Sequence, residues 1–404
     1  MKKIITLVAT LYIFSLASLK AQVGQTINIG TIDTVDSKIL GEKRTVWVYV
    51  PKQDSSFAKA KYPVLYILDG DLIFSSATGM IQYLSSEELL FCPKMIVVGI
   101  IHKKRWKDLT PPNPYADSIT KRKYGGGENL LAYIEKELMP YINKTYPTEP
   151  YNIFAGHSLG GLMVMQAFLY HHNIFNAYFS LDASMYWDKQ RLLKQTDSLI
   201  AKVDKDDRPL YLAIANTMPA KFDTSSVKKD TTEETEHIRC LLTLNQLLKQ
   251  KKSKFSSIYY SNYEHQPSLL TGTYDGLLWL FKKYQLTGLG IEDLSRPSID
   301  TLKRKLDEHY LNFYKEFGFL KYPEEKVINR IAGISIQNKW MPSAEYLLKL
   351  NTVNYPTSFN ALNQLGNFYE KQNDKAKAIE YFKRALLIKY VEETENKVNQ
   401  LESK

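Results

Sequence analysis

The stretch "YNIFAGHSLGGLMVMQAF" occupies residues 151–168. Its start, Tyr151 to Ala155, is an apolar run with strand character, and its end, Leu162 to Phe168, reads as a helix. Between them lies Gly156-His157-Ser158-Leu159-Gly160-Gly161, a Gly-x-Ser-x-Gly pattern. A chain of this length holds that pattern by chance about one time in ten, so the flanks decide its meaning. A strand before it and a helix after it are the setting of a nucleophile elbow, a strained turn that lifts a serine hydroxyl above the edge of a sheet. Gly156 and Gly160 are then expected where any side chain would strike the neighbouring strand or helix. The N-terminus of the following helix would point amide groups and positive dipole at a developing oxyanion.

Outward from this stretch, short β-rich runs alternate with helical patterns. Strands are expected at Thr45 to Val50, Val64 to Leu68, Met95 to Ile101, Tyr151 to Ala155, Ala177 to Leu181, Leu210 to Ala215 and Ile258 to Tyr260. Helices are expected at Glu128 to Ile142, Leu159 to His171, His237 to Lys249 and Gly276 to Tyr284. The alternation predicts an α/β fold with a mostly parallel sheet covered on both faces.

A serine nucleophile needs a base, and in this class of fold the chain order is serine, acid, histidine, the last just after the final strand. Of seven histidines, His102 precedes the serine and His157 is locked beside it. His171 and His172 end the elbow helix, His237 begins or lies in another, and His309 is beyond the sheet. His265 remains. The acid should follow Leu210 to Ala215, yet Asn216-Thr217-Met218-Pro219 holds no carboxylate. Asp223 is the nearest, Asp230, Glu233, Glu234 and Glu236 come next, and a Ser-His dyad stays open. The second oxyanion donor belongs to the loop after the strand at 64–68, which assigns the backbone amide of Asp71 beside that of Leu159. Arg105 and Trp187 each follow a strand on the side where the elbow opens. Both are candidates to line the cleft, Arg105 for a carboxylate or phenolate, and both could equally be structural.

Composition sets the outer limits. With 404 residues, 44% of them hydrophobic, the chain can bury a full core with a smaller domain attached. Met1-Lys2-Lys3, an apolar run from Ile4 to Leu19 and then Ala21 read as a signal peptide cut after residue 21. The run is too short for a spanning helix. The mature chain is therefore expected to be exported, periplasmic or secreted, with no stable membrane insertion. The net charge of +10 falls to +7 without Lys2, Lys3 and Lys20. Its lysines are dispersed, which argues solubility and a mild preference for anions rather than nucleic acid. Cys92 and Cys240 are too few and too far apart for a zinc site or a disulfide framework, and buried thiols are expected, with a single bridge open in an oxidising compartment. No metal or nucleotide motif is present, and the chemistry needs no cofactor.

Beyond Tyr284 the pattern becomes helical, with a loop to Pro297 and an amphipathic helix near Ile299 to Phe317. Ile328-Asn329 and Leu362-Asn363, Ile331 and Leu365, Ala344 and Ala378, and Leu347 and Tyr381 recur 34 residues apart, the period of tetratricopeptide repeats. Gly366, Tyr369, Ala378, Phe382 and Ala385 suit that pattern. Two copies fall short of the three needed for independent stability, so the tail is expected to pack on the α/β part through the helix at 299–317. The division reads as a leader at 1–21, an α/β domain at 24–285, a linker and connecting helix at 286–323, and a small all-α domain at 324–404.

"YPVLYILDGD" (62–71), "MIVVGI" (95–100), "RWKDLTPP" (105–112), "AGHSLGGL" (155–162) and "EHQPSLLTGTYDGL" (264–277) together resemble the Putative esterase family, the enterochelin-esterase-like α/β-hydrolases, over about residues 24–285. Exported members with a tetratricopeptide-like tail resemble the chain along nearly its whole length. The resemblance implies the α/β-hydrolase fold and carboxylic-ester hydrolysis with Ser158 as nucleophile and His265 as base. It also exposes two departures: His265-Gln266 stands where many relatives have His-Gly, and no acid directly follows the seventh strand. The expected substrate is a small ester, of siderophore, acylated-sugar or feruloyl type. Acyl transfer at the same site is the second enzymatic reading. The non-enzymatic one is a scaffold that engages a protein partner through the repeats, for which two repeats offer little concave surface.

Overall fold

The computed structural model describes residues 26–52, 60–112, 124–203, 208–286 and 299–403. The leader read at residues 1–21 lies outside them, as does most of the loop before Pro297. Eight strands form one sheet in the order β1-β2-β4-β3-β5-β6-β7-β8: β1 (Thr31–Ser37), β2 (Glu42–Tyr49), β3 (Tyr62–Leu68), β4 (Ile96–Ile100), β5 (Thr148–His157), β6 (Ala177–Leu181), β7 (Leu210–Ala215) and β8 (Phe255–Tyr260). β1 pairs antiparallel with β2, and β2 with β4; every other pairing is parallel. β3, β4, β6 and β7 are buried at every residue, as expected of strands covered on both faces. β1, unread in the sequence because its polar residues give no apolar run, is an exposed edge.

The helices that concern the site leave the same edge of the sheet. Helix α1 (Gly70–Leu84) follows β3 and the short α2 (Arg105–Asp108) follows β4. Residues 127–145 run on as α3 (Gly127–Tyr133), a π-helical turn (Ile134–Leu138) and α4 (Met139–Thr145). Helix α5 (Leu159–Tyr170) follows β5, α6 (Trp187–Val203) follows β6, α7 (Glu236–Lys251) follows β7 and α8 (Ser268–Leu280) follows β8. Helix α8 starts eight residues earlier than the sequence suggested. Its Gly272 and Gly276 face the sheet: a Cβ on Gly272 would stand 2.7 Å from that of Ala213, and one on Gly276 3.1 Å from the Phe179 ring.

The remainder is helical: α9 (Ile299–Phe317), α10 (Glu325–Gln337), α11 (Met341–Asn354), α12 (Phe359–Lys371), α13 (Lys375–Ile388) and α14 (Glu392–Glu402). The spacing of 34 residues separates the starts of α10 and α12, and again those of α11 and α13. Helix α9 belongs to two cores. Phe313 and Phe317 pack with Tyr151, Phe281 and Tyr284 of the α/β part, whereas Leu302 and Leu306 pack with Ile328, Leu347 and Leu365 of the tail. Each of these side chains contributes about 1.5–3 kcal/mol on burial. Residues 31–404 accordingly pack as one unit. Among the described residues no helix is long and apolar enough to cross a membrane, and Cys92 and Cys240 are buried thiols.

Candidate active site

Parallel strands end on one edge, and three of these ends carry a non-glycine residue in the left-handed region: Asp69 after β3 (φ 55), Ser158 after β5 (φ 59) and Asp182 after β6 (φ 43). Such backbone costs about 1–3 kcal/mol per residue and persists only where its surroundings enforce it. At Ser158 they do. Its amide donates to the Leu181 carbonyl at 3.0 Å, and its own carbonyl accepts from the Leu162 and Ser184 amides at 2.9 and 3.0 Å. A Cβ on Gly156 would sit 2.5 Å from the Gly160 carbonyl oxygen, so a glycine is required there. Gly160 corrects the sequence expectation, because a Cβ on it would meet Leu68 at an ordinary 3.5 Å. The tight position is Gly161, where a Cβ would come within 2.9 Å of the Leu181 carbonyl oxygen.

His265 lies in the loop between β8 and α8, and the structure gives it a carboxylate. Its Nδ1 donates to Oδ2 of Asp182 at 2.5 Å, which leaves Nε2 as the basic nitrogen. The loop is pinned through the His265 carbonyl, which accepts from His157 Nε2 at 2.8 Å and from Ser268 Oγ at 2.7 Å. His157 packs against His265 with ring centroids 4.3 Å apart and planes tilted by 41°. Burial and the neighbouring His265 push His157 down to about 4, so it is a neutral donor at neutral pH. In this conformation the Ser158 hydroxyl is hydrogen-bonded to the buried Ser184 hydroxyl at 3.2 Å. Rotation about the Cα–Cβ bond of Ser158 is the movement that would turn its hydroxyl away from Ser184.

In the loop after β7, where the acid was expected, Asp223, Asp230, Glu234 and Glu236 have partners other than His265. Asp223 is exposed, and its Oδ1 accepts from the amides and hydroxyls of Ser225 and Ser226 at 2.7–2.9 Å. That local turn, through Ser226 and then Ser225, holds its carboxyl below the ordinary range. Asp230 accepts from Thr232 and Thr235, Glu234 pairs with Lys221 and Glu236 accepts from Gln190. The carboxylate on His265 is Asp182, with a fully buried side chain. Burial works against its ionisation, but hydrogen bonds from His237 and His265, the field of His237 and the Ala215 amide outweigh it and hold the carboxyl well below the usual range. Ser158, Asp182 and His265 follow in that chain order, with Asp182 directly after the sixth strand rather than after the seventh.

Asp71 and Leu159 stand in the first turns of α1 and α5, behind the adjacent strands β3 and β5. First-turn amides lack intrahelical acceptors, the condition an oxyanion donor requires. Arg105, half-exposed, grips Asp69 bidentately at 2.7 and 2.8 Å and reaches the His157 carbonyl at 3.4 Å. It thereby braces the turn ahead of Asp71 rather than the 108–112 loop. Trp187 packs against Trp106 and Tyr124, with centroids 5.9 and 5.2 Å away. Its indole N–H is buried without an acceptor among the described residues. The same ring lines a cavity of about 390 Å³ with Pro112, Leu162, Gln166, His171 and Arg191. His157, Asp182 and His265 have the ligand types of a metal centre. Here Nδ1 of His265 donates to Asp182 and Nε2 of His157 donates to the His265 carbonyl.

Residues 37–261 match the model of the family described as "Putative esterase". The chain belongs to this family. It is 30% identical over 212 residues to the ferri-bacillibactin esterase BesA of Bacillus subtilis, a match spanning 48% of this chain and 73% of that protein. Among solved structures it is similar to an IroE-like serine hydrolase from Shewanella oneidensis, at 27% identity and a TM-score of 0.64, over 80% of this chain and 99% of that one. An uncharacterised protein from Capnocytophaga ochracea shares the fold over 93% of this chain and 99% of its own, at 17% identity and a TM-score of 0.60. The protein is thus an enterochelin-esterase-like α/β-hydrolase with an all-helical C-terminal region, and a carboxylic-ester hydrolase by family.

Proposed function

We propose that the protein is an exported serine esterase that cleaves a siderophore-type ester through Ser158, His265 and Asp182. The observation that carries this reading is the 2.5 Å bond from His265 Nδ1 to the buried Asp182, on the same sheet edge as the strained Ser158 turn. His265 Nε2 takes the Ser158 proton as Oγ attacks the ester carbonyl. The amides of Asp71 and Leu159 hold the oxyanion, and His265 returns the proton to the leaving alcohol. Water repeats the sequence on the acyl-enzyme. The likeness to the ferri-bacillibactin esterase supports a siderophore-type ester, and the Trp106, Tyr124 and Trp187 rings suit one that carries aromatic groups. The leader composition at residues 1–21 supports export. The 34-residue hairpin spacing supports tetratricopeptide-type repeats that brace the catalytic part through α9.

The test is hydrolysis of p-nitrophenyl esters from acetate to octanoate, then of a ferric triester siderophore. Ser158→Ala and His265→Ala should each lower kcat by about 10⁴-fold or more, with fluorophosphonate labelling lost in Ser158→Ala. A wild-type protein that turns over no ester and takes no label would sink the reading. Turnover of simple esters without siderophore cleavage would remove only the substrate class.

A further inference from the structure

Asp182 serves two histidines. Oδ1 accepts from the Ala215 amide at 2.8 Å, while Oδ2 accepts from His265 Nδ1 at 2.5 Å and from His237 Nε2 at 3.0 Å. A carboxylate oxygen has two lone-pair directions, and on Oδ2 the two imidazoles take both. Their rings stand edge to face, with centroids 5.3 Å apart and planes at 90°.

His237 is held as firmly as the residue it touches. It is the second residue of α7, and the start of that helix is locked from below: Thr235, fully buried, donates to Asp230 and accepts from Arg239 Nε at 2.9 Å, while Arg239 also reaches the Thr232 carbonyl. Glu236 is tied to Gln190, and the Tyr186 ring packs edge-on against His237 at 5.6 Å. The carboxylates at 230–236 that suggest a triad acid therefore serve in part to hold the helix that presents His237 to the actual one. The titratable and charged groups around His237 are Asp182 from the β6 end, His265 with His157 behind it, Tyr186, and its helix neighbours Glu236 and Arg239.

We propose that His237 is a positioning residue of the esterase, acting through Asp182. It fixes the carboxylate orientation and takes a share of its negative charge, and so sets how strongly Asp182 favours the protonated form of His265. This rests on the Ser158-His265-Asp182 reading. Without the His237 donor, more of the carboxylate charge bears on His265. The imidazolium is favoured, and the basic form appears only at higher pH.

The experiment compares kcat and kcat/KM against pH for wild type, His237→Leu, His237→Gln and Ser158→Ala on a p-nitrophenyl ester, with the downfield proton resonance of His265 Nδ1–H as a spectroscopic readout. His237→Leu should lower kcat about 10-fold or more, leave KM within about threefold, and raise the acid limb of kcat/KM by about one pH unit. His237→Gln, which keeps an N–H donor at similar reach, should return the limb and the resonance close to wild type. Should the Leu variant not fold, His237→Asn, whose amide falls short, replaces it with the same expectation. Wild-type kcat, limb and resonance in the Leu or Asn variant would overturn the proposal. So would equal losses in all His237 variants with an unmoved limb, which is a packing loss alone. Ser158→Ala separates the two readings, since an active Ser158→Ala sinks the triad itself.

Discussion

Asp182 and His265 meet across 83 residues of chain, Asp182 at a strand end whose backbone is held in the left-handed region. In the tail, Gly366 and Phe382 meet between the neighbouring helices α12 and α13, where a Cβ on Gly366 would stand 2.6 Å from the Phe382 ring. The first region is polar, strained and buried, with one carboxylate accepting three hydrogen bonds. The second is small residues against large ones, with Ala344, Leu365, Ala378 and Phe382 fully buried. Packing in the tail is rewarded locally, helix by helix. The site gains little stability from its strain and instead holds its groups ready for reaction. Damage to the first region should therefore appear in rate, and damage to the second in stability.

The largest break in that contrast is expected at Asp182. Asp182→Asn offers an amide that can donate to His265 Nδ1, which favours the wrong tautomer, and kcat should fall by about 10³–10⁴-fold while the melting of the tail is unchanged. A loss below about tenfold in steady-state ester hydrolysis would mean that a Ser-His dyad suffices. Next in size, Gly366→Val should lower stability by about 2–4 kcal/mol through overpacking against Phe382, read in thermal or urea unfolding, with kcat per folded molecule unchanged. A rate defect at full stability would tie the tail directly to catalysis.

His157 tests both regions through pH. It is held neutral at about 4 when folded and titrates near 6.5 when unfolded, so between those values the unfolded chain binds the extra proton. Its contribution is complete above about pH 6.5 and is lost as pH falls toward 4, by about 3 kcal/mol at most. His157→Gln should flatten unfolding free energy against pH over that window, and a slope equal to wild type would assign the acid sensitivity elsewhere. The smallest effect belongs to Asp223: Asp223→Ala should keep kcat within about twofold. A large loss of turnover would return the triad acid to the loop after β7.

Much of this was legible because it is local. Leu159 starts its helix and Ala177–Leu181 and Leu210–Ala215 are strands where the apolar runs placed them. The 34-residue period emerges as paired hairpins, since a repeat is written in neighbouring residues. The position of His265 after the last strand was legible by elimination, because that loop carries one histidine. Asp223 follows the seventh strand, where the acid was expected, whereas the carboxylate bonded to His265 is Asp182, which lies in "SLDAS" with no local mark of that contact. His237 was set aside as a helical residue, and its helix is what aims it at Asp182. Gly160 carries the motif, but Gly161 meets the steric limit, and only the position of β6 reveals that.

The sequence by itself determined the alternating α/β order, the elbow with its serine, the histidine and the helical tail, because period, turn chemistry and chain order are short-range properties. Only the tertiary structure decided which carboxylate completes the site, that two histidines share it, and that Arg105 braces Asp69. Those choices depend on which strand ends lie side by side. A parallel sheet sets that adjacency by strand order, β5 beside β6 and β8 one strand beyond β7, and hydrogen bonds then select among carboxylates that look alike in the chain.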